Sequence, residues 1–343
     1  MKITSTNTSL PAFFLGIDVG KKELFCHLLS PNETHSQKFD NSESGIKSLI
    51  IWLKSFADLQ QLAACLEQTG RYGKAVANAL HHAQVSALHL VNPCRVKAYG
   101  QLKLRRNKSD TADAKLIAEF LRSEHHELKT WQPPTAEKEQ ITELSRYAQS
   151  LTEDNARLKT KCESITNKAI LRSLERRIKA QEKEISDIRQ RINTLISKDT
   201  ALHTQKNLLS TIPGLGEITQ QIIIAEIPDI ELFNNARQLA AWVGLTPRHF
   251  ESGTSGRTRT PITKVGSTSL RSALYLPAIS AKRHNPLLKQ FAERLKENGK
   301  KPKEIIVAVM RKLVHQIYGI LKSGQPFNSE KRGFNSPTQI TNS

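Results

Sequence analysis

Leu15-Gly16-Ile17-Asp18-Val19-Gly20 is an apolar run with one acid in it, ending in a turn. The apolar pattern continues on both sides, over residues 13–29, and is broken only at Gly20-Lys21-Lys22. Phe25, His27 and Leu29 alternate on the far side of the break, so the stretch predicts a β-hairpin. A second apolar run, Leu62-Ala63-Ala64-Cys65-Leu66, closes on Glu67 and predicts a short buried strand. Residues 85–91 predict another, stopped by Asn92-Pro93. Between these runs Ile46, Leu49, Ile50 and Leu53 have helical spacing, and a helix follows the turn Thr69-Gly70-Arg71-Tyr72-Gly73. Strands alternating with helices predict an α/β domain over residues 12–132, closed by Trp131-Gln132-Pro133-Pro134.

Within that domain, a helix is expected from about Asp110 to Leu121, with Ala114, Ile117, Ala118 and Leu121 as its apolar stripe and Ser109 as its N-cap. Asp110 and Asp113, at i and i+3, project from one face of its first turn. Taken singly, each acid has an ordinary explanation. The pair suits a helix dipole, Asp18 suits a turn, and Glu67 suits a strand end. Taken together, strand, strand, helix is the order in which a ribonuclease-H-like fold gathers carboxylates around divalent metal. Hard oxygen ligands from separate elements leave magnesium with open positions. Two such ions can hold the attacking and leaving oxygens of a phosphodiester. Asp18, Glu67, Asp110 and Asp113 are therefore the expected Mg2+ ligands, with two ions. Gly16-Ile17-Asp18-Val19-Gly20 also resembles the first phosphate loop of sugar-kinase and actin-like ATPases, but no second Asp-Gly loop or adenosine turn accompanies it.

The 343-residue chain has 51 Lys+Arg against 32 Asp+Glu, a formal charge of +19 that points to a polyanionic partner. Aromatics are 6%, too few for base stacking to dominate binding. Cys26, Cys65, Cys94 and Cys162 form no CxxC and no zinc spacing, which is reducing-compartment usage. With no apolar stretch near 18 residues and no signal-peptide core at residues 1–9, a cytoplasmic protein without a membrane span is expected.

From 136 to 203 there is neither proline nor glycine. Leu144, Leu151, Leu158 and Ile165 fall seven apart, and Leu174, Ile178, Ile185, Ile188, Ile192 and Leu195 keep three-and-four spacing. The pattern predicts a coiled-coil helical arm over 136–205, turning where the phase slips between Ile165 and Leu174, and joining subunits as a dimer or tetramer. A mostly helical second domain, 206–323, follows, and a polar tail, 324–343, is expected to be disordered. In this domain Ile212-Pro213-Gly214-Leu215-Gly216 resembles a helix-hairpin-helix turn, which brings backbone N–H groups to a phosphate. Helices are predicted over 269–282, 286–298 and 303–321.

A Gly/Ser/Thr/Arg loop spans 247–264. A serine beside glycine, as at Ser252-Gly253, can approach a substrate closely but needs activation to act as a nucleophile. Arg248, Arg257, Arg259 and Lys264 could neutralise phosphate there, and Lys103, Arg105, Arg106, Lys108 and Arg271 are further candidate phosphate contacts.

The motifs taken in order resemble one family across about residues 12–325. In the first domain they are Gly16-Ile17-Asp18-Val19-Gly20-Lys21, Glu67-Gln68-Thr69-Gly70-Arg71-Tyr72-Gly73 and Lys108-Ser109-Asp110-Thr111-Ala112-Asp113-Ala114. In the second they are Ile212-Pro213-Gly214-Leu215-Gly216, Trp242-Val243-Gly244-Leu245-Thr246-Pro247, Ser252-Gly253-Thr254-Ser255, Lys264-Val265-Gly266, Ala273-Leu274-Tyr275-Leu276-Pro277-Ala278 and Arg283-His284-Asn285-Pro286. The chain resembles the DEDD-type transposases of insertion sequences, relatives of the Piv DNA invertase. That resemblance implies a RuvC-like first domain, a coiled-coil arm and a transposase domain. It also implies magnesium on Asp18, Glu67, Asp110 and Asp113, and a serine nucleophile at Ser252. The family usually reads Ser-Ser-Gly where this chain has Glu251-Ser252-Gly253, which keeps Ser255 as an alternative. It further implies double-stranded DNA as substrate, at element ends and target, and a structured non-coding RNA that bridges them. Guidance by base pairing would let a protein poor in aromatics grip backbones while RNA reads sequence. A RuvC-like nuclease using water, and a non-catalytic nucleic-acid-binding protein, are the rival readings.

Overall fold

The run around Asp18 forms the central strand of a mixed five-stranded sheet in the computed structural model, which describes residues 11–67, 72–103, 110–247 and 262–330. Described residues fall into two compact units that divide between Pro133 and Pro134.

The first unit opens with β1 (Phe13–Val19), β2 (Glu23–Leu29), β3 (Thr34–Asp40) and α1 (Glu43–Phe56). It continues through β4 (Leu62–Glu67), α2 (Lys74–His82), β5 (Ala87–Val91), α3 (Pro93–Leu102) and α4 (Asp110–Glu124). The sheet order is β3-β2-β1-β4-β5. β1 pairs antiparallel with β2 and parallel with β4, and β4 pairs parallel with β5. Strand periodicity then sorts the side chains. Leu15, Ile17, Ala64 and Leu66 pack with Ile46, Leu49 and Leu53 of α1 and Val76 and Leu80 of α2. Phe14, Ala63, Cys65 and Val91 pack on the other face with Leu116, Ile117, Ala118, Phe120 and Leu121 of α4. Each such fully buried Leu or Ile contributes about 1.5–3 kcal/mol.

Two elements of this unit escape a reading of pattern. β3 is Thr-His-Ser-Gln-Lys-Phe-Asp, with only Phe39 buried, because it is an edge strand. Asn92-Pro93, which reads as a stop, starts α3 instead: a proline at the first helical position sacrifices no intrahelical hydrogen bond.

The second unit begins with two long helices, α5 (Ala136–Glu163) and α6 (Lys168–Lys198). Thr135 caps α5 by accepting from the Lys138 amide, and Asn167 caps α6 by accepting from Ala169 and Ile170. They run antiparallel. Tyr147 donates to Glu184 at 2.8 Å, and Lys159 meets Glu182 at 2.8 Å. Then come α7 (Thr200–Ser210), α8 (Glu217–Glu226), α9 (Ala236–Val243), α10 (Thr268–Ala273), α11 (Tyr275–His284), α12 (Pro286–Glu297) and α13 (Pro302–Ser323). Ile141, Ala148 and Leu151 of α5 and Ile185, Ile188, Ile192 and Ile196 of α6 belong to the same core as Leu209, Leu239, Leu270 and Leu313. The helix expected over 269–282 is broken at Leu274, because Pro277 has no N–H to offer the carbonyl of Ala273. Residues 324–330, read from sequence as part of a loose tail, lie on the unit: the Phe327 amide donates to Thr211 Oγ1 at 2.9 Å and its ring packs on the core. Residues 331–343 lie outside the described residues.

Candidate active site

Asp18 stands near the end of β1, where Ile17 pairs with Leu66 of β4. Asp18 and Glu67 therefore follow side by side on neighbouring parallel strands, about 4.8 Å apart along the hydrogen-bonding direction. Strand alternation turns both toward α4, as it does Phe14 and Cys65. α4 in turn begins at Asp110, with Asp110 and Asp113 in its first turn.

Carboxylate oxygens of Asp18, Asp110 and Asp113 all lie within 4.8 Å of one another. Among the described residues this is the one group of three or more His, Cys, Asp or Glu side chains placed to converge on an ion. Asp110 is exposed, and Asp18 and Asp113 are half-buried, so the cluster opens to solvent. Glu67 sits at the adjacent strand end and is not one of the converging three. Carboxylates at that separation repel one another. The positive end of α4 offsets part of this. A divalent cation would offset far more, and an all-oxygen donor set on separate elements fits one.

Cys65 and His89, paired across β4 and β5, are both held in their neutral forms by burial. Burial pushes the Cys65 thiol up, and the Glu67 charge adds to it, so Cys65 stays a neutral core side chain. Burial also holds His89 below the ordinary imidazole range, with its Nδ1–H donated to the Lys129 carbonyl at 3.0 Å.

Lys103 lies exposed just beyond α3, its ammonium 5.6 Å from the centre of the Tyr99 ring. Arg105, Arg106 and Lys108 fall outside the described residues, as do Arg248, Ser252, Ser255, Arg257 and Arg259. What is described is the stem from which 248–261 departs. Pro247 and Ile262 form an antiparallel bridge, and the Thr263 amide donates to the Thr246 carbonyl at 2.9 Å. Gly266 has φ +137°, and a Cβ there would lie 2.1 Å from the Trp242 carbonyl oxygen. Lys264 is exposed with φ +54°, a left-handed conformation that costs a non-glycine residue about 1–2 kcal/mol. Arg271 holds the architecture together, donating to the Val243 carbonyl at 2.9 Å and to Thr268 Oγ1 at 3.2 Å.

The turn at 212–216 joins α7 to α8, with Gly214 at φ +92° and no room for a Cβ beside the Ala281 amide of α11. Glu217 occupies the first turn of α8 and accepts from Lys206 at 2.7 Å and Asn193 at 3.0 Å. An acid at that helix start competes with a phosphate for the same backbone amides.

Residues 15–170 match a family model described as "Transposase", the DEDD type named for IS110, and residues 206–293 match the "Transposase IS116/IS110/IS902 family". The "Pilin gene-inverting protein" of Moraxella bovis is 30% identical over 320 residues, covering 92% of this chain and 97% of its own. The "Transposase for insertion sequence element IS1111A" of Coxiella burnetii is 24% identical over 223 residues, 57% of this chain and 59% of its own. Among solved structures, RuvC of Thermus thermophilus, described in complex with a Holliday junction substrate, aligns over 35% of this chain and 99% of its own, with 18% identity and a TM-score of 0.28. Among the described residues, no helix is long and apolar enough to cross a membrane.

Proposed function

We infer the reaction from one premise: the chain belongs to the IS110 family of transposases. It is a DNA-rearranging enzyme, and the reading that fits it best is a site-specific recombinase that cuts and rejoins DNA at the ends of an insertion sequence. The first unit then serves as a RuvC-like, ribonuclease-H-like catalytic domain. Asp18, Asp110 and Asp113, with Glu67 beside them, would hold divalent metal, magnesium by the hardness of the donors. When bound, the metal supplies Lewis-acid stabilisation of charge on a phosphodiester. The protein's own part is to hold three acids from a strand and a helix in one place, so that coordination positions stay open to substrate.

Ser252 is the proposed nucleophile. Attack of its Oγ on phosphorus would form a phosphoserine ester to one DNA end and release the other as a hydroxyl. The ester keeps the bond energy available for rejoining. Support comes from the Ser252-Gly253 motif and the cations Arg248, Arg257, Arg259 and Lys264 around it in sequence. A guide RNA, two metal ions and association through α5 and α6 belong to the same reading.

The observation that carries it is the convergence of Asp18, Asp110 and Asp113 within 4.8 Å in a chain of charge +19. The test uses full-length protein and a plasmid carrying the element with its flanking DNA. Strand cleavage and a protein–DNA adduct are followed with and without magnesium. Asp113→Asn should abolish cleavage, and Ser252→Ala should abolish the adduct. Cleavage undiminished in Asp113→Asn would overturn the metal site. Cleavage without any adduct would replace the serine by water.

A further inference from the structure

In the second unit Arg146 pairs with Glu226, Lys159 with Glu182, Lys206 with Glu217 and Lys322 with Glu231. Elsewhere one face gathers cations from three helices. Arg311 and His315 lie one turn apart on α13, with Lys312 beside them. Arg237 approaches from α9, close enough for its charge to act on both Arg311 and His315. Arg294 comes from α12, where it and Lys312 sit 5.6 and 5.5 Å from the centre of the Phe291 ring. Among the described residues Arg237, Arg294 and Arg311 have no carboxylate partner. His315 Nε2 is buried and makes no hydrogen bond within the protein.

We propose that this face of α9, α12 and α13 binds nucleic-acid backbone phosphates, with Arg237, Arg294, Arg311 and Lys312 as the cations and His315 as a hydrogen-bonding partner. The site deepens the recombinase reading and rests on it for the class of partner.

The physical argument is that gathering these charges works against the folded chain. Burial holds Arg311 below its ordinary range, and Arg237 pushes it further. Burial, then Arg294 and Arg311, do the same to Lys312. The imidazole of His315 is lowered to about 4 by burial and by Arg311, Lys312 and Arg237, so at neutral pH it is uncharged. Like charges gathered on one face cost stability, and such clusters mark sites where an opposite charge arrives from outside. Guanidinium forks match phosphate oxygens two at a time, which suits the three arginines. Four cations spread over three helices match a run of phosphates better than one small anion. Sequence pattern gives no hint of it, because Arg237, Arg294 and Arg311 are far apart in the chain and belong to no basic run.

The experiment measures binding of full-length protein to two probes, a duplex DNA and a hairpin RNA of similar length, across a series of salt concentrations. The variants are Arg311→Gln, Arg237→Gln with Arg311→Gln, and the surface change Arg294→Gln. Each lost phosphate contact should weaken binding and flatten the log–log salt slope, by about 0.9 on the duplex DNA. Melting temperature should hold or rise, since repulsion is relieved. A response on duplex alone assigns the site to DNA, on hairpin alone to RNA, and on both to backbone in general. Unaltered affinity and slope on both probes, with the variants folded, would overturn the site. Arg294→Gln keeps that outcome accessible if the Arg311 variants do not fold. Wild-type protein that binds neither probe would overturn the nucleic-acid reading as well, whereas wild-type binding with indifferent variants overturns this site alone.

Discussion

A Cβ at Gly16 would lie 2.3 Å from the backbone nitrogen of Ala118, and equally 2.3 Å from the Ala114 carbonyl oxygen. α4 thus rests on the bare backbone of β1, two residues before Asp18, and this contact brings its first turn to the strand end. Any side chain at 16 must lift the helix, and with it Asp110 and Asp113. Gly16→Ala is expected to cost about 1–3 kcal/mol as an overpacking change, and to weaken magnesium binding as well. Gly216→Ala is the control, because a Cβ there meets nothing within 4 Å. Thermal unfolding together with calorimetric titration of magnesium reads both effects. Equal behaviour of the two variants would remove the role given to Gly16.

The three converging aspartates repel one another, and a bound cation would relieve that repulsion. Asp113→Asn should therefore raise the melting temperature of metal-free protein while removing most of the rise that magnesium produces in the wild type. Linkage sets the size of that rise: about 2.7 kcal/mol at a metal concentration a hundred times the dissociation constant. Glu67→Gln should have the smaller effect, since Glu67 is beside the cluster and outside the converging three. Melting curves over a magnesium series decide it, and a wild-type melting temperature indifferent to magnesium would count against ligation.

Much of the first unit is legible in the sequence because it depends on local pattern. The apolar pattern on either side of Gly20-Lys21-Lys22 predicts the hairpin and the stripe Ala114, Ile117, Ala118 and Leu121 predicts α4; both elements are observed, with that stripe buried. What pattern does not carry is contact between distant segments. β3 holds one buried residue, so it has no periodicity to read. α3 begins at a proline that is equally able to end a strand. Gly16 is visible as a residue, whereas its contact with Ala114 and Ala118 arises only when α4 crosses β1. In the second unit Asn285 is legible as a motif residue and not as a core one, because an asparagine before proline is ordinarily an exposed cap.

That asparagine is fully buried. Its Oδ1 accepts from the Leu288 amide at 3.3 Å to cap α12, and its Nδ2 donates to Gln316 Oε1 of α13 at 3.0 Å. Asn285→Ala loses the cap, at about 1 kcal/mol, and leaves the Gln316 carbonyl oxygen buried without that donor, at about 1–3 kcal/mol more. Urea unfolding of the alanine variant checks the sum, and a loss under about half a kcal/mol, well below the cap's usual worth, would contradict it.

His315 gives the second unit a pH dependence whose sign is fixed by its surroundings. Its folded-state value is about 4, against 6.5 for an unperturbed imidazole, because burial and then Arg311, Lys312 and Arg237 disfavour the charged form. Between those values the unfolded chain binds a proton that the folded chain does not. Stability therefore rises with pH across the window, and the loss on acidification begins near 6.5 and is complete near 4. His89, lowered by burial, contributes in the same direction. His315→Gln should flatten the urea midpoint across this window without abolishing the slope. Higher salt should flatten it too, because it screens the share owed to the three cations and leaves the burial share intact. A phosphate-rich ligand seated among those cations would oppose them and raise the imidazole toward its ordinary range. Duplex binding should then strengthen as pH falls from about 7 toward about 5 in the wild type, by at most about tenfold for each pH step of one, and less so in His315→Gln. Identical pH profiles of binding and stability in the two proteins would show that His315 does not feel the cluster around it.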